Sequence, residues 1–155
     1  MRIFVGIPAD EQFYRNSLTI RDPALAQLRW VKPENLHLTL VPPWEVAPDE
    51  LNQLISQLEQ IHTPNPFLAK FNQVELGPDP KHVRLIWARG SAPAELITLR
   101  NELARIIKYR PDRALIMHIT LAKFPRPISG NTITFPSQQI HWNLPITNFA
   151  IFESK

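Results

Sequence analysis

Two short segments of the sequence place an imidazole two residues before a hydroxyl. They are Leu36-His37-Leu38-Thr39-Leu40 and Met117-His118-Ile119-Thr120-Leu121. Both read apolar-His-apolar-Thr-apolar, and the histidines lie 81 positions apart (118 − 37 = 81). Residues i and i+2 of a strand share a face. Each segment, if extended, therefore presents an imidazole and a hydroxyl side by side on an apolar backing. Imidazole gives or takes a proton near neutrality, so one histidine can activate a water while the other protonates a leaving oxygen. The threonine hydroxyls can donate to non-bridging phosphate oxygens as charge builds there. That set of groups suffices to split a phosphodiester without a metal. A single His-x-Thr would carry no information, because threonine favours strands and a histidine is often merely a satisfied core or surface residue. With five histidines and eight threonines, chance supplies about a quarter of one such spacing. Two copies with matching apolar slots are far rarer.

The pattern of apolar residues predicts the elements that position these groups. Arg2 to Ile7 alternates as a strand, and Ala9 to Leu28 is partly helical with a break at Pro23. Trp30 to Val41 contains a strand that Pro42-Pro43 should end. Pro48 to Ile61 is the clearest helix, with Leu51, Leu54, Ile55 and Leu58 at helical spacing and Asp49 and Glu50 at its N-terminal end. Phe67 to Leu76 and Val83 to Ala88 are strands joined by Gly77-Pro78-Asp79-Pro80. Pro93 to Tyr109 is a helix, Leu115 to Leu121 a strand, and Ile140 to Phe152 carries one more strand with a break near Pro145. This order favours an α+β fold with antiparallel sheet. No Gly- or Ser-rich linker divides the chain, so residues 1–155 are expected to form one domain.

Bulk properties narrow the field. The chain has 155 residues, 44% of them apolar, and its 16 prolines are spread between apolar runs as punctuation. It has no cysteine, which excludes disulfides, thiol nucleophiles and thiolate metal sites. A net charge of +3 suits an anionic substrate but is too small for a strong duplex binder. No segment has the length of a membrane span, and the N-terminal apolar run is too short for a signal peptide. The expectation is a cytoplasmic monomer.

Over nearly its whole length the sequence resembles the two-histidine (2H) phosphoesterases, in particular the bacterial and archaeal RNA 2′,3′-cyclic phosphodiesterases, historically called 2′-5′ RNA ligases. The most specific stretch is Arg29-Trp30-Val31-Lys32-Pro33-Glu34-Asn35-Leu36-His37-Leu38-Thr39-Leu40. Arg2 to Pro8 is similar to the family's opening strand, Val83 to Trp87 to its middle strand, His118 to Lys123 to its second motif, and Phe149 to Ser154 to its closing strand. The resemblance implies a bilobal α+β fold, with two pseudo-symmetric lobes, each with an antiparallel sheet and flanking helices, around a central cleft. It implies hydrolysis of a 2′,3′-cyclic phosphate to a 2′-phosphate on RNA ends or nucleotides, with no metal or other cofactor. His37 and His118 would be the acid–base pair, and Thr39 and Thr120 would hold the phosphate. The chain departs from the family at Val41-Pro42-Pro43-Trp44, at Met117 and at Lys123, where an arginine often stands. These changes alter the cleft rim.

Further residues are candidates on chemistry alone. Lys123 would contact the phosphate only if a bulge or the strand's end turned it, since on a regular strand it points away from His118. Phe4, Trp30 and Trp44 can stack on a base, with core packing as the competing role, and Arg126 can add charge at the rim. His62, His82 and His141 lack a threonine partner and read as loop or surface residues. Three other activities remain open: another 2H cyclic phosphodiesterase acting on small nucleotides or ADP-ribose cyclic phosphate, 2′-5′ RNA ligation, and RNA binding without turnover. A histidine metal site is disfavoured by the want of a third ligand.

Overall fold

A computed structural model describes residues 1–61 and 65–155. His62 and Pro64 lie outside the described residues. The elements are β1 (Arg2–Pro8), α1 (Glu11–Leu18), β2 (Arg29–Trp30), a single 3-10 turn at Pro33–Asn35, β3 (His37–Glu45), α2 (Pro48–Glu59), β4 (Phe67–Asp79), β5 (His82–Gly90), α3 (Ala94–Ile107), β6 (Met117–Ile128), a second 3-10 turn at Gly130–Thr132, β7 (Gln138–Ile146) and β8 (Ala150–Glu153).

The strands run in the order β7-β4-β5-β6-β3-β1-β8, with β2 added on β6. All pairings are antiparallel. The two halves, β3-β1-β8 and β7-β4-β5-β6, meet through a single pair, Leu38 with Ile119. The two expected sheets are thus contiguous, hinged at one point of the backbone.

The core lies between one face of this sheet and the helices. Alternate residues supply it: Leu38, Leu40, Ile119, Leu121, Leu144 and Ile146 are buried. Phe13 of α1 packs edge-on against Phe71 of β4 and Trp142 of β7, with centroids 5.1 and 5.4 Å apart. Leu96, Leu99 and Leu103 of α3 fill the other end. The motif histidines and threonines, on the other parity, are only half-buried. α1 begins where Asp10 accepts a hydrogen bond from the Phe13 amide at 2.8 Å. α3 stops at Lys108, whose left-handed φ of 61° turns the chain out of the helix.

Several boundaries differ from expectation. α1 ends at Leu18 rather than continuing towards Leu28, because Thr19 caps it and Asp22 accepts from the Ala24 amide to make a turn. β3 does not stop at Pro42-Pro43 but continues to Glu45. The prolines sit where the pairing with β1 shifts register, a position that needs no regular ladder of amide donors. The hairpin between β4 and β5 is tighter than expected, since β4 runs through Gly77 and Pro78 to Asp79. Pro145 lies inside β7, an edge strand, where a missing amide costs no pairing. The break comes after Ile146 and separates β7 from β8. Among the described residues, no helix is long and apolar enough to cross a membrane.

Candidate active site

β3 and β6 lie side by side at the centre of the sheet, antiparallel, with Leu38 and Ile119 paired and both fully buried. This register, continued one residue each way, sets His37 across from Thr120 and Thr39 across from His118. The four polar groups therefore share one face around a local two-fold, with an apolar pair beneath it.

Each motif is followed by the same irregularity. Along β3, Thr39 pairs with Gly6 and Val41 with Val5, so Leu40 is an extra residue. Along β6, Thr120 pairs with Trp87 and Ala122 with Ile86, so Leu121 is an extra residue. Both strands then bury two consecutive side chains, Leu40-Val41 and Leu121-Ala122. A bulge of this kind reverses the parity of the residues beyond it. It turns Lys123, paired with Leu85, onto the face of Trp87 and Thr120. Lys123 thus meets the condition under which it can reach a phosphate. Pro42 occupies the corresponding place after the first motif.

The rings are held alike. The Nδ1 of His37 lies 2.6 Å from the Asn35 carbonyl oxygen, and the Nδ1 of His118 lies 2.9 Å from that of Ile116. A carbonyl can only accept, so Nδ1–H donates and Nε2 is left free for proton transfer. Burial pushes the pKa of both histidines below the ordinary value, while these carbonyls oppose the shift. At His37 the positive charge of Lys123, and then His118, lower it further. At His118 burial alone lowers it. The difference follows from the bulge that carries Lys123 towards His37.

The walls of the two halves are unlike. Phe4 is buried, stacks on Phe152 at 4.9 Å and lies 4.7 Å from the His37 ring. Phe152 itself is 5.4 Å from His37. Trp87 packs against His118 at 4.7 Å. A side chain on Gly77 would strike the Trp87 indole, at 2.6 Å, so that glycine makes room for it. Gly6, opposite Thr39, has no room for a Cβ either, which would lie 2.7 Å from the Leu38 carbonyl oxygen.

These placements favour packing over base stacking for the aromatic residues. Phe4 lies on the cleft face, but its ring supports His37 and leaves little surface for a base. Trp44 pairs with Ile3, and Trp30 with Ala122, so both point to the helix side of the sheet. Both pack against the core, and the Arg21 guanidinium covers Trp30 at 5.1 Å. Arg126, His82 and His141 are exposed. Sequence reasoning does not find Phe152 and Trp87 as ring supports, nor Arg89, paired with His118, nor Arg29, paired with Lys123. No spacing rule points to any of these four. Among the described residues, no group of three or more His, Cys, Asp or Glu side chains could hold a metal ion.

Comparison with known proteins agrees with this arrangement. Residues 6–87 match the family of LigT-like phosphoesterases. The chain is 28% identical over 161 aligned positions to an RNA 2′,3′-cyclic phosphodiesterase of Archaeoglobus fulgidus, covering 99% of this chain and 91% of that protein. It is 26% identical to an RNA 2′,3′-cyclic phosphodiesterase of Methanothermobacter thermautotrophicus, over 82% of this chain and 73% of the relative. A Thermus thermophilus crystal structure superposes with a TM-score of 0.77 at 23% identity, covering 100% of this chain and 89% of its own. The Escherichia coli LigT structure with 3′-AMP gives 0.71 at 24% identity, covering 97% and 86%. At these identities the structures speak for the fold alone.

Proposed function

The chain belongs to the LigT-like phosphoesterase family, and from that premise we propose that it hydrolyses RNA 2′,3′-cyclic phosphate ends to 2′-phosphates, with His37 and His118 as its acid–base pair. The observation that carries the reading is the pairing of Leu38 with Ile119, which sets two imidazoles and two threonine hydroxyls on one face. The names of the curated relatives support the substrate.

In the mechanism, Thr39 and Thr120 donate to the non-bridging oxygens of the cyclic phosphate, and Lys123 adds a positive charge. His118, neutral at Nε2, takes a proton from water as its oxygen attacks phosphorus. The P–O3′ bond breaks as His37, protonated at Nε2, gives its proton to O3′. The products are a 2′-phosphate and a 3′-hydroxyl, and the two histidines exchange protonation states before the next turn. The lowered pKa keeps His118 neutral, as a base must be at working pH, and at His37 it eases release of the proton while leaving less of the ring protonated. Both histidines come from one chain, so a monomer suffices.

The test is turnover of an oligonucleotide ending in a 2′,3′-cyclic phosphate, with the product identified. A 2′-phosphate formed equally well in EDTA is expected. A 3′-phosphate, or RNA bound without turnover, would overturn the assignment. Running ADP-ribose cyclic phosphate and a 2′-5′-linked ligation product in parallel separates the related activities.

A further inference from the structure

Arg29 stands directly opposite Lys123 in the pairing of β2 with β6, and the next pair, Trp30 with Ala122, faces the core. Lys123 also pairs with Leu85, on the Trp87 side of β5, so Arg29 and Lys123 share the face of the two motifs. Like charges directly opposite on neighbouring strands repel each other. Here no carboxylate relieves them: among the described residues the ion pairs are Met1–Glu45, Arg15–Glu11 and Arg89–Glu75. Both side chains are exposed.

The other side of the face is different. Arg89, paired with His118, lies 3.1 Å from Glu75 and is neutralised by it. Among these cations, unpaired positive charge therefore lies on the His37 side only, and an anionic strand leaving the site would run out over Arg29. Thr120 and Lys123 pair with Trp87 and Leu85, two residues apart on β5, so at roughly 3.3 Å per residue Lys123 lies about 7 Å along the sheet from Thr120, and Arg29 is one strand further out. That offset is comparable to the length of one nucleotide.

Resting on the activity proposed above, we infer that Arg29 holds the phosphodiester on the 5′ side of the terminal nucleotide, making this site selective for an RNA end over a mononucleoside 2′,3′-cyclic phosphate. The mononucleoside compound lacks that phosphate. Lys123 lies between the two phosphates, and Arg29 adds the contact that only a longer chain can use.

The experiment compares kcat/KM for a dinucleotide ending in a 2′,3′-cyclic phosphate with that for the matching mononucleoside 2′,3′-cyclic phosphate. The unaltered protein should prefer the dinucleotide. In Arg29→Gln the ratio of the two values should fall about tenfold, as expected for loss of a charge-assisted hydrogen bond, mainly through KM. The salt slope of dinucleotide binding should decrease by about 0.7, and Arg29→Lys should restore part of both. Equal losses on the two substrates, or no loss, would overturn the inference. Calorimetric binding of the dinucleotide and mononucleoside 2′-phosphates, with and without Arg29→Gln, reads the same contact without turnover. If no cyclic phosphate is hydrolysed but that discrimination is present and lost in Arg29→Gln, the activity fails and the subsite stands. If the discrimination is absent, the subsite fails by itself. Thermal unfolding close to that of the unaltered protein identifies a folded Arg29→Gln, and a misfolded one is replaced by Arg29→Lys with its smaller expected effect.

Discussion

The half built on His37 and the half built on His118 share a backbone design and differ in what surrounds it. Each has a His-x-Thr strand, a ring tethered through Nδ1 to the carbonyl two residues earlier, and a bulge at the leucine after the threonine. After the bulge one strand has Pro42 and the other Lys123. Beside the threonine one half has Gly6 and the other Trp87. Repetition supplies two rings and two hydroxyls. The differences between the halves separate two chemically similar rings: Lys123 acts on His37, and Trp87 walls His118.

The largest expected effect would break both halves equally. His37→Ala and His118→Ala should each lower kcat by at least about 10²–10⁴, measured on a cyclic-phosphate-ended RNA. The double variant should be little worse than either single one, because the two groups act in one step. Near-normal turnover in either single variant would exclude the acid–base assignment.

Next come the hydroxyls. Thr39→Val and Thr120→Val remove one donor each, and each should cost about 10²-fold in kcat. A tenfold difference between the two would show which half faces the oxygen that gains more charge. A loss confined to KM would place the threonines in ground-state binding instead.

The Lys123–Pro42 contrast gives smaller and more selective effects. Lys123→Met removes a charge that lowers the His37 pKa, so that pKa should rise while His118 stays where it is. NMR titration of the ring protons resolves the two. Pro42→Lys offers the reverse test, a downward shift at His118. A rise at both rings in Lys123→Met would show that the halves are not electrostatically distinct.

The smallest effect is on stability. Both histidines are lowered from 6.5 in the folded protein, so the unfolded chain binds protons first as pH falls. Stability should therefore decline as pH drops from about 6.5 through the lowered folded values, seen as a falling Tm. His37→Ala with His118→Ala should flatten that dependence. An unchanged slope would mean that burial does not set these pKa values.

Much of the candidate site's arrangement was legible without a structure. Alternation is a local property, so the apolar partners of His37, Thr39, His118 and Thr120 in sequence already place each imidazole beside a hydroxyl. The helices at Pro48–Glu59 and Ala94–Ile107 were equally legible from their spacing. Prolines mislead where their meaning is positional. Pro42-Pro43 and Pro145 read as strand breakers, yet one pair sits at an irregular register and the other residue on an edge, and neither fact is local. The choice between stacking and packing for the aromatic residues is illegible for a related reason. Trp30 and Trp44 have the right type for stacking, but the face they occupy depends on which neighbour each strand pairs with.

Local alternation is enough to give the proposed reacting set: two imidazoles and two hydroxyls, fixed in relation to each other within each strand by the two-residue period of extended backbone. How the two strands meet, and what closes around them, depends on the assembled sheet. The Leu38–Ile119 contact, the bulges that turn Lys123 inward, and the placing of Arg29 opposite it all depend on pairing between residues far apart in the chain. Such pairing is set by how the whole sheet buries its apolar face, and a one-residue slip in register would send each of these side chains to the other side.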